Sequence, residues 1–96
     1  GPDGNIVGEG DMSAQALFIF DRIAALLADA GASLADVIKI TTFITDMSAY
    51  REFAAVRAEV FEGLPRVASS TVGVAALVDP RLLIEIEALA VVPVES

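Results

Sequence analysis

Apolar and polar residues alternate along two stretches near the end of the chain, residues 69–76 and residues 83–90. Alternation with a period of two is typical of half-buried strands. In the second stretch, isoleucine and alanine occupy the even positions, and the odd positions hold Leu83, Glu85, Glu87 and Leu89. The segment Val78-Asp79-Pro80-Arg81 separates the two stretches. We therefore predict two strands that could pair antiparallel across this short connection.

A helical pattern occupies the first third of the chain. Its apolar stripe has helical spacing and consists of Ala16, Ile19, Phe20, Ile23, Leu27 and Ala30. Ser13 is a suitable N-cap, and Gly31 is a suitable residue to follow the last turn. The pattern predicts a helix over residues 13–30.

A strand and a second helix follow. Residues 37–45 are rich in β-branched side chains, which favour a strand with Ile38, Ile40, Thr42 and Ile44 on one face. The second helix starts at Asp46 or Ser48 and ends before Gly63. A short strand at residues 6–7 and a stop at Pro93 complete the expected order. These elements predict one α+β domain over residues 1–96, a mixed sheet with two helices on one face.

Two carboxylates in the last strand are unusual in so apolar a run. Glu85 and Glu87 project from the same face, flanked by Leu83 and Leu89. One interpretation is a solvated sheet face. The other is a carboxylate partly buried in a pocket, where it would suit a general base.

Composition narrows the possible chemistry. The chain has no cysteine and no histidine, which excludes thiolate catalysis, a Ser-His pair and the usual zinc ligands. Its net charge of −8 disfavours a nucleic-acid partner, because the basic residues are scattered. No apolar run is long enough to cross a bilayer, so we expect a cytoplasmic protein. A hydrophobic content of 55% favours an oligomer.

Three segments, in the same order along the chain, resemble the RidA/YjgF family, also called the L-PSP family. They are the Gln15-containing helix, the segment AGASLADVIKITTFITDM, and Ser70–Leu77 followed by the EIEALAV motif. The resemblance implies a chorismate-mutase-like subunit in a homotrimer with clefts between subunits. It also implies that the two strands with which the family domain begins are missing, so that the domain is N-terminally truncated.

The resemblance further implies hydrolysis of reactive enamines and imines, such as 2-aminoacrylate, without a metal or cofactor. In the family an arginine grips the substrate carboxylate and a glutamate activates water. When the alignment is anchored on residues 72–77, that arginine falls on Ser69 and a neighbouring cysteine falls on Thr71. A pocket asparagine falls on Arg57, and the glutamate falls on Glu85.

Under this alignment the chain keeps the family glutamate, as Glu85, and differs from the family at Ser69, Thr71 and Arg57. We predict Glu85 as the catalytic residue and expect a substrate-binding role for Ser69, Thr71, Gly73, Arg66 and Arg57. Arg66 or Arg57 could replace the family arginine, or each could be a solvated surface cation. Ser69 and Thr71 could likewise be ordinary polar strand residues.

Two functions follow from this reasoning. The first is a small-molecule site in the clefts between subunits that hydrolyses or binds an enamine, imine or related carbonyl metabolite. The alternative is a non-catalytic homotrimer of the same fold with a ligand-binding or regulatory role. RNA cleavage is disfavoured by the charge.

Overall fold

The computed structural model describes residues 8–92. Within them the chain forms two helices and three strands: α1 (Met12–Asp29), β1 (Val37–Ile44), α2 (Tyr50–Val60), β2 (Ala68–Gly73) and β3 (Ile84–Ala90). Short 3₁₀ helices precede β1 and α2, at Leu34–Asp36 and Met47–Ala49. The predicted strand at residues 6–7 and the stop at Pro93 lie outside the described residues.

The strands form one mixed sheet with β1 in the centre. β1 pairs in parallel with β2 and antiparallel with β3. The prediction that the last two strands could pair with each other is therefore wrong. β2 ends at Gly73, so residues 74–83 are free to cross to the far side of β1, where the Thr45 amide donates to the Leu83 carbonyl at 3.2 Å.

Alternation along the strands gives the sheet two different faces. The helix-facing side carries the buried side chains of Ile40, Ile44 and Ile84, which pack with the aromatic rings of Phe20 and Phe53. These two rings stack with their centroids 6.3 Å apart. We call the other side the open face; its residues are Lys39, Thr41, Phe43, Ala68, Ser70, Val72, Glu85, Glu87 and Leu89. The predicted α+β class, with two helices on one side of a mixed sheet, is confirmed.

A bulge shifts the alternation at the start of β1. Val37 is opposite Ala90, whereas Lys39 is opposite Leu89, so β1 contains one extra residue at this point. Val37 is consequently buried and Ile38 is 47% exposed. The prediction that Ile38 shares a face with Ile40, Thr42 and Ile44 is wrong for this reason.

Each helix begins slightly away from its predicted position. Asp11, not Ser13, caps α1, since its carboxylate accepts from the Ala14 amide at 3.0 Å. Asp46 caps the 3₁₀ helix before α2 by accepting from the Ser48 amide, so α2 itself begins only at Tyr50. Neither helix in the described part of the chain is long and apolar enough to span a membrane.

Gln15 joins α1 to the connection between β2 and β3. Its side-chain amide donates to the carbonyls of Arg81 at 3.0 Å and Gly8 at 3.3 Å, and accepts from the Leu83 amide at 2.8 Å. Gly8 has a φ of 64°, and a Cβ there would lie 2.6 Å from the Ala14 Cβ, so only glycine fits. No role was predicted for Gln15, although its place next to Ala16 and one turn before Ile19 of the apolar stripe was the available signal.

Candidate functional site

A cavity of about 720 Å³ lies between α2, β2 and the loop that joins them. Its size falls within the range of roughly 300–1,000 Å³ that is usual for small-molecule sites. The lining residues are Ile40, Tyr50, Arg57, Ala58, Phe61, Leu64, Pro65, Arg66, Val67, Ser69 and Thr71. We call it the α2–β2 cavity. Its lining combines apolar side chains with the polar groups of Tyr50, Arg57, Arg66, Ser69 and Thr71, and polar atoms provide the larger share of the exposed surface.

Arg57 extends from α2 across this cavity to β2. Its Nη1 donates to the Ser69 Oγ at 3.0 Å, and its Nη2 donates to the Tyr50 hydroxyl at 3.3 Å. A guanidinium has five N–H donors. Three of them therefore have no acceptor among residues 8–92, and a carboxylate can bind two at once.

Aromatic rings fix the orientation of this guanidinium. The Arg57 Cζ lies 5.2 Å from the centre of the Phe53 ring and 5.9 Å from that of Tyr50. Both distances permit cation–π attraction. Phe53 and Tyr50 precede Arg57 by one and two turns of α2, so helical spacing places all three on one side. Tyr50 was missed as a site residue; its position seven residues before Arg57 was the available signal.

The α2–β2 cavity is positively charged although the chain is strongly negative. Arg57 and Arg66 are two of only six basic residues in a chain with a net charge of −8. No carboxylate belongs to the cavity lining that the structure describes. Within residues 8–92 the only ion pair joins Arg81 to Asp79, outside the cavity. The site is therefore suited to an anion.

Four of the six predicted site residues meet in this cavity: Arg57, Arg66, Ser69 and Thr71. Ser69 and Thr71 are on the helix-facing side of the sheet because they pair with Ile40 and Thr42. The Arg57 side chain is half-buried, and its guanidinium donates hydrogen bonds to two hydroxyl groups.

The other two predicted residues lie elsewhere. Glu85 pairs with Phe43 on the open face, where it is exposed and not partly buried as expected. Within one chain it is thus on the opposite side of the sheet from Ser69 and Thr71, and the predicted grouping fails there. Gly73 does not line the cavity. It lies beside Met47, whose Cγ would be 3.3 Å from a Cβ at this position.

Thr42 is an unusual neighbour of the cavity. It lies opposite Thr71 in the sheet and is fully buried. Its hydroxyl oxygen has no hydrogen-bond partner in the described part of the chain.

The described residues contain no cluster of three or more acidic side chains that could hold a metal ion.

The fold and the cavity together define a small α+β protein with a ligand-sized, cationic site between a helix and a mixed sheet. Residues 1–92 match the model of the family described as Endoribonuclease L-PSP. The chain belongs to this family, the RidA/YjgF/L-PSP family that the sequence motifs resemble.

Individual relatives support the same assignment. The chain is 35% identical over 89 residues to a RutC family protein, slr0709, of Synechocystis, and 42% identical over 88 residues to another, PH0854, of Pyrococcus horikoshii. These alignments cover 92% and 91% of the chain and 67% of each relative. The chain thus spans about two thirds of the length of these relatives.

Solved structures agree in fold. Rv2704 of Mycobacterium tuberculosis, described as a member of the YjgF/YER057c/UK114 family, superposes with a TM-score of 0.82 at 44% identity. That match covers 85% of this chain and 69% of Rv2704. Yeast Mmf1 gives a TM-score of 0.86 at 34% identity, over 96% of this chain and 71% of Mmf1.

Proposed function

We propose that the chain binds small carboxylate-bearing metabolites in the α2–β2 cavity, with Arg57 as the cation that grips the carboxylate. The supporting observation is the position of its guanidinium, 3.0 Å from the Ser69 hydroxyl, in a lining without a carboxylate. The alignment with the family placed the substrate-binding arginine at residue 69. Here Arg57 brings a guanidinium next to that residue from the opposite wall.

The reaction we propose at this site is the hydrolysis of enamines and imines of the 2-aminoacrylate type. Water adds through its oxygen to the imine carbon and gives up a proton to a carboxylate base. The imine nitrogen takes up a proton to give a carbinolamine. The hydroxyl of the carbinolamine then loses its proton while the nitrogen takes up a second one, so that the C–N bond breaks, ammonia leaves and a 2-oxo acid remains. An enamine first takes up a proton on its terminal carbon to become the imine. Arg57 would hold the substrate carboxylate throughout, so that water attacks a fixed carbon.

Glu85 is the proposed base, and the geometry restricts how it can act. Because it lies on the open face of its own subunit, it can reach a ligand in the cavity only from a neighbouring subunit. The proposal therefore includes a homotrimer in which the open face of one subunit closes the cavity of the next. A site of this kind combines Arg57 from one copy with Glu85 from another.

Mixed oligomers test this arrangement. Arg57→Gln and Glu85→Gln subunits should each be inactive alone in ammonia release from freshly generated 2-aminoacrylate. Random co-assembly of equal amounts in a cyclic trimer should restore about one quarter of the wild-type sites, since each site needs one intact residue from each of two neighbours. If mixing restores no activity while both variants remain trimeric, the shared site is wrong.

A second candidate function is ligand binding without turnover. It is favoured by one observation: among the described residues, no aspartate, glutamate, lysine, cysteine or histidine lines the cavity. An enzyme that activates water usually positions such a group within hydrogen-bonding distance. Carboxylate binding without ammonia release in the wild-type protein would select this function.

Ribonuclease action, which the family name Endoribonuclease L-PSP suggests, is not part of the proposal. A chain with a net charge of −8 repels a phosphate backbone unless its basic residues form an extended patch. The two arginines of the cavity are concentrated in a pocket of small-molecule size instead.

A further inference from the structure

The α2–β2 cavity contains more positive charge than a single carboxylate requires. Arg57 is held in place by Ser69 and Tyr50. Arg66 also lines the cavity but is exposed and has no hydrogen bond or ion pair from its side chain within residues 8–92. A ligand with one carboxylate would satisfy Arg57 and leave Arg66 uncompensated.

The size of the cavity supports a longer ligand. A volume of about 720 Å³ is far larger than a three-carbon acid occupies, and such an acid would leave most of it to water. Phe61, Leu64 and Val67 provide apolar surface within the same lining. This surface would contact the carbon chain of a ligand whose two ends are polar.

The spacing of the two arginines is compatible with one ligand. Residue 66 is three positions before Ser69, whose hydroxyl contacts Arg57, and three extended residues span at most about 11 Å. The Arg66 side chain is flexible and can reach from the loop into the cavity, which brings its guanidinium closer to that of Arg57. One small molecule with separated acidic ends can therefore contact both guanidinium groups.

We propose that the preferred ligand of the cavity carries two anionic groups, the first bound by Arg57 and the second by Arg66. The proposal builds on the carboxylate site proposed above and assigns its specificity to Arg66. A guanidinium binds carboxylate and phosphate alike, so either group could be the second anion.

Matched pairs of acids test the proposal by isothermal titration calorimetry. 2-Oxoglutarate and 2-oxopentanoate share a five-carbon chain and differ in the terminal carboxylate; 3-phosphoglycerate and glycerate differ in the phosphate. We expect the diacid of at least one pair to bind roughly ten-fold more tightly, the scale of one charge-assisted hydrogen bond. The pair that shows the preference identifies the second anion.

Arg66→Gln should abolish this preference by reducing the affinity ratio within the pair to about one. Arg51→Gln is the matched control, because Arg51 is an exposed arginine of α2 outside the cavity lining, and it should leave the ratio unchanged. A preference that survives in Arg66→Gln, or equal binding of both members by the wild type, would overturn the role of Arg66. If the wild type binds both acids of a pair equally and Arg57→Gln binds neither, the carboxylate site at Arg57 is still supported. If no acid binds, the proposed function itself fails.

Discussion

Moving the guanidinium back across the cavity would test how the chain compensates for the serine at position 69. We consider Arg57→Asn alone and combined with Ser69→Arg, which together restore the arrangement that the family alignment implies. Because the Arg57 Nη1 and the Ser69 Oγ are 3.0 Å apart, an arginine on either wall directs its charge into the same space. The single variant should lose carboxylate binding, and the double variant should regain it.

The expected loss can be worked from the free donors of Arg57. A carboxylate would use two of the three that remain, and a hydrogen bond to a charged group contributes about 1.5–3 kcal/mol. Partial exposure of Arg57 screens this gain. A net loss of about 2–3 kcal/mol corresponds to a Kd weakened roughly 30- to 140-fold.

Calorimetric titration with pyruvate, a stable 2-oxo acid, provides the assay. Arg51→Asn serves as the control for removing an arginine from α2 outside the cavity. The melting temperature of each variant separates loss of binding from loss of fold. Unchanged affinity in Arg57→Asn, or a double variant that folds but binds no better than the single one, would refute the reasoning.

Four further predictions follow from individual contacts. Gln15→Leu should lower the free energy of unfolding, measured in urea, by about 2–4 kcal/mol, because it leaves the Leu83 amide and the Arg81 carbonyl without partners. A loss below about 0.5 kcal/mol, which is typical of a surface substitution, would contradict this prediction. Thr42→Val removes a buried hydroxyl without a partner among the described residues, so it should raise the melting temperature or leave it unchanged. The side-chain hydrogen bond from Arg81, and after it the hydrogen bond from the Arg81 amide, lowers the pKa of Asp79 to about 2. The ionised Asp79 carboxylate should therefore contribute fully to stability above the unfolded-state pKa of about 3.8, and this contribution should be lost as the pH falls towards 2. Asp79→Asn should remove this part of the acid dependence of the melting temperature. Fluorescence anisotropy with single-stranded RNA should detect no salt-dependent binding, and a Kd that rises steeply with added salt would show that the charge argument is wrong.

Much of the fold was predictable because its signals are local. The period-two alternation of β3 and the apolar stripe of α1 depend on neighbouring residues, and both elements form close to the predicted bounds. Strand pairing was not predictable in the same way. Whether β2 pairs with β3 or with β1 depends on where β2 ends, and the alternation continues past Gly73 although the strand does not.

The site was predictable in part for a related reason. Ser69 and Thr71 share a face by alternation alone, and the family alignment added Arg57 to the same pocket. The position of Glu85 required the sheet order, because only the pairing of β1 with both neighbours shows that Glu85 and Ser69 face opposite sides. The bulge at Ile38 and the hydrogen bond between Arg57 and Ser69 depend on tertiary packing that no sequence period encodes.

The most direct test of the central claim is an NMR titration of ¹⁵N-labelled protein with pyruvate, observing the side-chain Nε–H of Arg57 together with the backbone amides. A carboxylate bound in the α2–β2 cavity should shift the Arg57 Nε–H and the amides of Val67, Ser69 and Thr71, and Arg57→Gln should abolish the amide shifts. Saturable shifts confined to the open face, around Glu85 and Glu87, or an Arg57 signal that does not move at saturation, would contradict the proposed site.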